Sequence, residues 1–154
     1  MHQRIRHLFV AFFLTTFAVA QNFEDGFSFE MPHDDTSSQL FLPIFPATPI
    51  DDFIGISADG HFTANGQNIR FWGVNFTTGA CFPLKQKAAF IAGRMRKMGI
   101  NLVRFHHMDN PWTDQNGTIF IRNSGNTRQL NPTSLDRFHF LLAQMKQEGI
   151  YANI

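Results

Sequence analysis

The stretch NLVRFHHMDN, Asn101 to Asn110, sets Arg104, His106, His107 and Asp109 directly behind an apolar run. Residues of these types can hold a metal ion, line a polar substrate pocket, or stand as solvated surface groups. In a strand, alternate side chains face opposite sides, so Arg104 and His106 share one face and Phe105 and His107 the other. Adjacent histidines therefore diverge unless the strand has already ended. No third ligand with supportable spacing joins them beyond Asp109, and a metal centre needs converging donors. A pocket rim is the better reading, with Arg104 and one histidine as its members. An arginine in an apolar strand is costly to bury unpaired, so an acidic partner is expected, and no carboxylate of the chain is an obvious candidate.

Other residues could join such a rim. Asn75 ends an earlier apolar run, FWGVN, and either faces a pocket or caps the turn that follows. Trp112, past the strand end, is suited to stacking on a sugar ring, whereas Trp72 lies inside a strand-like run and reads as core. Asn75-Phe76-Thr77 and Asn116-Gly117-Thr118 match the glycosylation acceptor pattern, a short match that means nothing in a bacterial secretory route. Glutamate occurs only at Glu24, Glu30 and Glu148, none of them at a strand end. A carboxylate-pair hydrolase would need its pair from elsewhere.

The elements that position these residues are legible from periodicity. Asn65-Gly66 between two extended runs predicts a tight hairpin turn, with its second arm, Ile69 to Phe76, as the first core strand. Leu84, Ala88, Ile91, Met95 and Met98 recur at helical spacing, Gly99 supplies a left-handed stop, and Ile100 to Phe105 reads as a strand covered on both faces. After the polar loop PWTDQNGTIFIRNSGNTRQLN, Thr133-Ser134-Leu135-Asp136 has capping-box spacing. The helix behind it should bury Leu135, Phe138, Leu142 and Met145, stop at Gly149 and lead into a third strand, Ile150 to Ile154. Alternating strands and helices predict a parallel α/β sheet, and such sheets place ligands at the carboxyl ends of their strands. Arg104, His106, His107 and Asp109 fall there. The sequence stops inside a strand where a covering helix would be expected, so it reads as interrupted.

The opening, MHQRIRHLFVAFFLTTFAVAQ, has a basic start, an apolar run and Ala18-Val19-Ala20, the features of a cleaved secretory signal over residues 1–20. Its apolar run of about 13 residues falls short of the roughly 20 needed to span a membrane, and an uncleaved anchor is the lesser alternative. Residues 21–58 are rich in Phe, Pro and Asp without sustained period and are expected to form a docked strap, because a disordered tail would carry fewer large apolar residues. Residues 59–154 would be the folded body. The formal net charge of +1 with scattered basic residues gives no footprint for nucleic acid. Cys81, the sole cysteine, excludes an internal disulfide, zinc ribbons and redox motifs.

The succession FSFEMPHDD, DGHFTANGQNIRFWGVNF, GACFP, MGINLVRFHHMD and LDRFHFLLAQMKQEGIYANI resembles the amino-terminal part of secreted cellulase-type glycoside hydrolases, the family-five-like members of clan A. The likeness covers nearly everything after the signal and is strongest at RFWGVN and LVRFHHMD. It implies the first three β/α units of a (β/α)8 TIM barrel, truncated, where a whole barrel needs roughly 250 residues. It also implies retaining hydrolysis of β-linked poly- or oligosaccharides by two glutamates about 5 Å apart, without a cofactor or metal. In the family those glutamates follow the fourth and seventh strands. By position, Arg104 matches the arginine that supports the nucleophile, whose glutamate would be the missing partner. His106 and His107 match its polar flanks, with His107 as the sugar contact, and Asn75 matches the pocket floor loosely. His33 departs from the aromatic usual in the strap. A fragment of this kind should be inactive alone and poorly ordered at its open edge. The alternative is a self-sufficient secreted module that grips carbohydrate through the strap and Trp112 without chemistry.

Overall fold

Asn65 and Gly66 hold φ angles of 49° and 71°, the paired positive torsions of the tight hairpin turn that an Asn-Gly dipeptide favours. They join β2 (Phe62–Ala64) to β3 (Gln67–Asn68) in the computed structural model, which describes residues 48–154. A third strand, β1 (Gly55–Ile56), pairs antiparallel with β2, placing Gly55 opposite Thr63. The end of the expected strap is thus sheet in part, and Ile50 N–H also donates to the Lys146 carbonyl at 2.9 Å. The expected signal over residues 1–20 and the expected strap up to residue 47 lie outside the described residues.

The first core strand is shorter than Ile69 to Phe76. The hairpin ladder ends with Ile69 N–H donating to the Phe62 carbonyl, and the parallel sheet begins only at β4 (Gly73–Thr77). Between them the Asn101 side chain takes the place of a strand partner. Its amide donates to Arg70 O at 2.8 Å and its oxygen accepts from Trp72 N–H at 2.8 Å. Regular pleating therefore starts one residue too late to carry Trp72 inward, and Trp72 is 69% exposed instead of core.

Three parallel strands follow, in the order β4, β5 (Leu102–His106), β6 (Tyr151–Asn153). The connecting segments carry α1 (Lys85–Lys97) and α2 (Pro132–Gln147). Both helices lie against one face of the sheet, where Val103, Phe105, Phe138, Leu141 and Met145 form the core together with Ala88, Ala92 and Met95. Phe105 meets Phe138 edge to face at 4.9 Å, a geometry that satisfies the ring quadrupoles. β5 was expected to be covered on both faces; it is covered on one, with Val103 fully buried and Arg104 exposed. At the other end, Phe71 links Phe62 of the hairpin to Tyr151 of β6 through edge contacts of 5.6 and 5.9 Å.

The helices follow the expected spans with three corrections. In α1 the buried stripe is Ala88, Ala92 and Met95, because Leu84 and Met98 sit at the caps and are exposed. In α2 the cap is Asn131, whose side chain accepts from the N–H groups of Thr133 and Ser134. Pro132 takes the first helical position, where a missing N–H costs nothing, and Thr133 lies inside the helix. Its buried stripe is Ser134, Phe138, Leu141 and Met145, while Leu135 and Leu142 are half-buried. Gly99 and Gly149, at φ 75° and 73°, end the two helices alike. Their N–H groups donate to Arg96 O and Lys146 O, and those of Ile100 and Ile150 reach back to Met95 O and Met145 O, the hydrogen-bond pair of a Schellman stop. Lys85–Asp136 at 2.7 Å and Arg96–Glu148 tie the helices together near both ends.

Candidate functional site

The uncovered face of the parallel sheet carries a polar row. Parallel register sets Asn75 beside Arg104 and Arg104 beside Asn153, and all three are exposed. Period-2 alternation makes this row inevitable once Val74, Phe76, Val103 and Phe105 turn toward the helices. One pleat higher, Thr77 pairs with His106. No turn-capping bond comes from the residue that enters the short 3-10 turn at Thr78–Cys81, and Asn75 stands on the open face. Among the described residues no ion pair is formed by Arg104; exposed to solvent, it does not need the acidic partner that burial would have demanded.

The histidines converge, because the strand has already ended between them. β5 ends at His106, and His107 adopts a left-handed φ of 53°, uncommon for a residue with a Cβ. That torsion turns its ring back, so the two imidazoles stack with centroids 3.7 Å apart and planes tilted by 36°. Trp112 meets His107 edge to face at 5.6 Å and leaves most of its own ring free, being 66% exposed. The His106 pKa lies below that of an ordinary histidine: partial desolvation is the main cause, electrostatic interaction with His107 and Arg104 adds to it, and Asp109 opposes it. A lowered pKa favours the neutral form of the His106 imidazole, which both donates and accepts hydrogen bonds. No group of three or more metal-type donors forms among the described residues.

One residue of this site gave only a weak sequence signal. Asn110 is 2% exposed, and its amide donates to His107 O at 2.7 Å and Gly117 O at 3.1 Å. Its oxygen accepts from Thr113 N–H at 3.0 Å and the Thr113 hydroxyl at 2.7 Å. The Asn-Pro dipeptide announces a turn but not a buried one. Past it, Ile119 N–H donates to Met108 O and a bridge joins Phe120 to Leu130, so the polar loop folds back on itself. It encloses an open pocket of about 340 Å3 bordered by Asp109, Asn110, Pro111, Phe120, Arg122 and Asn123. Beneath the site, the buried Cys81 thiol points at His106 O at 3.8 Å, and burial pushes its pKa up, which keeps it unreactive.

No family model, curated protein or solved structure matches this chain. A flat exposed indole, two imidazoles, two amides and a guanidinium make a rim with many hydrogen-bonding groups and one apolar plane. Sugars present the same combination, hydroxyls at the ring edge and C–H groups on its face. No helix among the described residues is long and apolar enough to cross a membrane.

Proposed function

We propose that the chain is the amino-terminal part of an exported retaining glycoside hydrolase of the cellulase type, acting on β-linked poly- or oligosaccharides. In this reading its three parallel strands are the first three of a (β/α)8 barrel. The observation that supports it best is the row Asn75, Arg104, Asn153, crowned by His106, His107 and Trp112 at the carboxyl ends of the strands. That is where α/β folds gather their ligands. None of the three strands carries a carboxylate, and Glu148 is turned away on the helical layer, paired with Arg96. The chain thus contributes the sugar-facing rim, and the carboxylate pair comes from other elements.

The product of the whole reading frame, incubated with β-glucan and β-mannan, should release reducing sugar with its anomeric configuration kept. Arg104→Ala should lower kcat by about 100-fold, as loss of one preorganised charge stabiliser does. The 154-residue chain should release nothing. Turnover by that chain alone, or a full product inert toward every β-linked polymer, would overturn the reading. Tight sugar binding by an inert full product would instead favour a carbohydrate-binding module.

A further inference from the structure

We propose that Asn110 is the positioning residue that holds His107 and Trp112 in their sugar-contacting arrangement. The proposal rests on the carbohydrate reading above for its ligand but not for its geometry.

A carboxamide offers two donor hydrogens and two acceptor lone pairs, and all four are used at Asn110. Its bonds reach both ends of the segment that carries the aromatic pair. One donor grips the carbonyl of His107, the residue in the unfavourable left-handed conformation. The acceptor grips Thr113, immediately past Trp112. The second donor fixes Gly117, where a Cβ would stand 2.8 Å from the Thr113 side chain, so the ring of contacts closes only around a glycine. Because Asn110 is buried, water cannot substitute for a lost bond without opening the loop. The rings themselves touch only edge to face at 5.6 Å, a weak contact that does not hold a left-handed torsion in place unaided. Aspartate has the same size but no donor hydrogens, and would face two carbonyl oxygens with negative charge.

The test uses the full chain and two substitutions, Asn110→Ala and Asn110→Asp, each also in a Trp72→Phe background that leaves Trp112 as the only indole. Wild-type protein should show NMR cross-peaks between the His107 and Trp112 rings, and both variants should lose them. In Asn110→Ala the His106 titration midpoint should rise toward that of an ordinary histidine as its stacking partner leaves. Its affinity for cellohexaose should fall about tenfold, the equivalent of one hydrogen bond. A purely structural role would lower Tm while leaving the cross-peaks, midpoint, indole emission and affinity of the folded protein unchanged, and that result would overturn the proposal. If both variants fail to fold, Thr113→Val removes one hydroxyl without volume and should give the same changes at smaller amplitude; unchanged spectra there, or wild-type protein without the cross-peaks, also overturn it. Wild-type protein that ignores cellohexaose would sink the sugar reading alone, since the ring measurements still decide the role of Asn110.

Discussion

The imidazole of His106 lies 3.7 Å from that of His107, centroid to centroid, one residue ending a strand and the next reversing its direction. Two rings that close cannot both take up a proton without repelling each other. Arg104, exposed two positions back along β5, adds positive charge to the same end of the strand.

Acid should therefore weaken the fold through this pair. The folded pKa of His106 lies below its ordinary value, so the unfolded chain binds the proton more tightly and stability declines as pH falls through the ordinary histidine range. Above that range the contribution is constant. An NMR titration should place the His106 midpoint below that of a free histidine. Asp109→Asn should lower it further, and Arg104→Gln and His107→Gln should raise it. A midpoint that falls in Arg104→Gln would contradict the electrostatic assignment.

The cap of α2 gives a second check. Asn131→Ala removes the bonds to Thr133 and Ser134 and an amide bond to Gln115 O at 2.5 Å, and should cost about 1–2 kcal/mol in urea unfolding. Thr133→Ala, at an exposed position, should cost under about 0.5 kcal/mol. The reverse order would restore the capping box at Thr133.

Two glycines with nearly equal torsions should respond unequally to alanine. Gly66 has open space around a Cβ, so Gly66→Ala should cost only the left-handed strain of about 1–2 kcal/mol. At Gly149 a Cβ would also stand 2.7 Å from Thr48 O, and backbone does not yield easily, so the loss should exceed that of Gly66→Ala by about 1–3 kcal/mol. Thermal melts of the two variants settle the order; equal losses would mean that Thr48 moves aside freely.

The two ion pairs between the helices should also separate. Lys85→Ala breaks an exposed pair and should change stability by less than about 0.5 kcal/mol. Glu148→Gln breaks a mostly buried contact with Arg96 and should cost about 1 kcal/mol or more. A salt titration distinguishes them further, since only the exposed pair is strongly screened.

What the sequence foretold were features in which one residue type dictates a local conformation, the Asn-Gly turn and the Gly99 and Gly149 stops, together with the presence of both helices but not their full buried stripes. What it concealed came from contacts between distant segments. Asn101 cuts the first strand short by bonding to Arg70 and Trp72 across 31 and 29 residues. Asn131 outcompetes Thr133 as a cap because its amide is also anchored to the loop at Gln115. The site was half visible. Alternation correctly separated Arg104 from Phe105, yet it could not foresee that His107 would leave the strand with a positive φ. Nothing in the spelling NP marks Asn110 as buried.

The matched helix ends do not set the height of the polar row. Each helix closes with the same two hydrogen bonds, yet Leu102 lies three residues past Gly99 and Tyr151, its partner, two past Gly149. The ladder between β5 and β6 absorbs that difference. Two residues on, Arg104 and Asn153 arrive abreast with no bond between their side chains to align them. The rim is level the way a plank floor is level, by the joints between neighbouring boards.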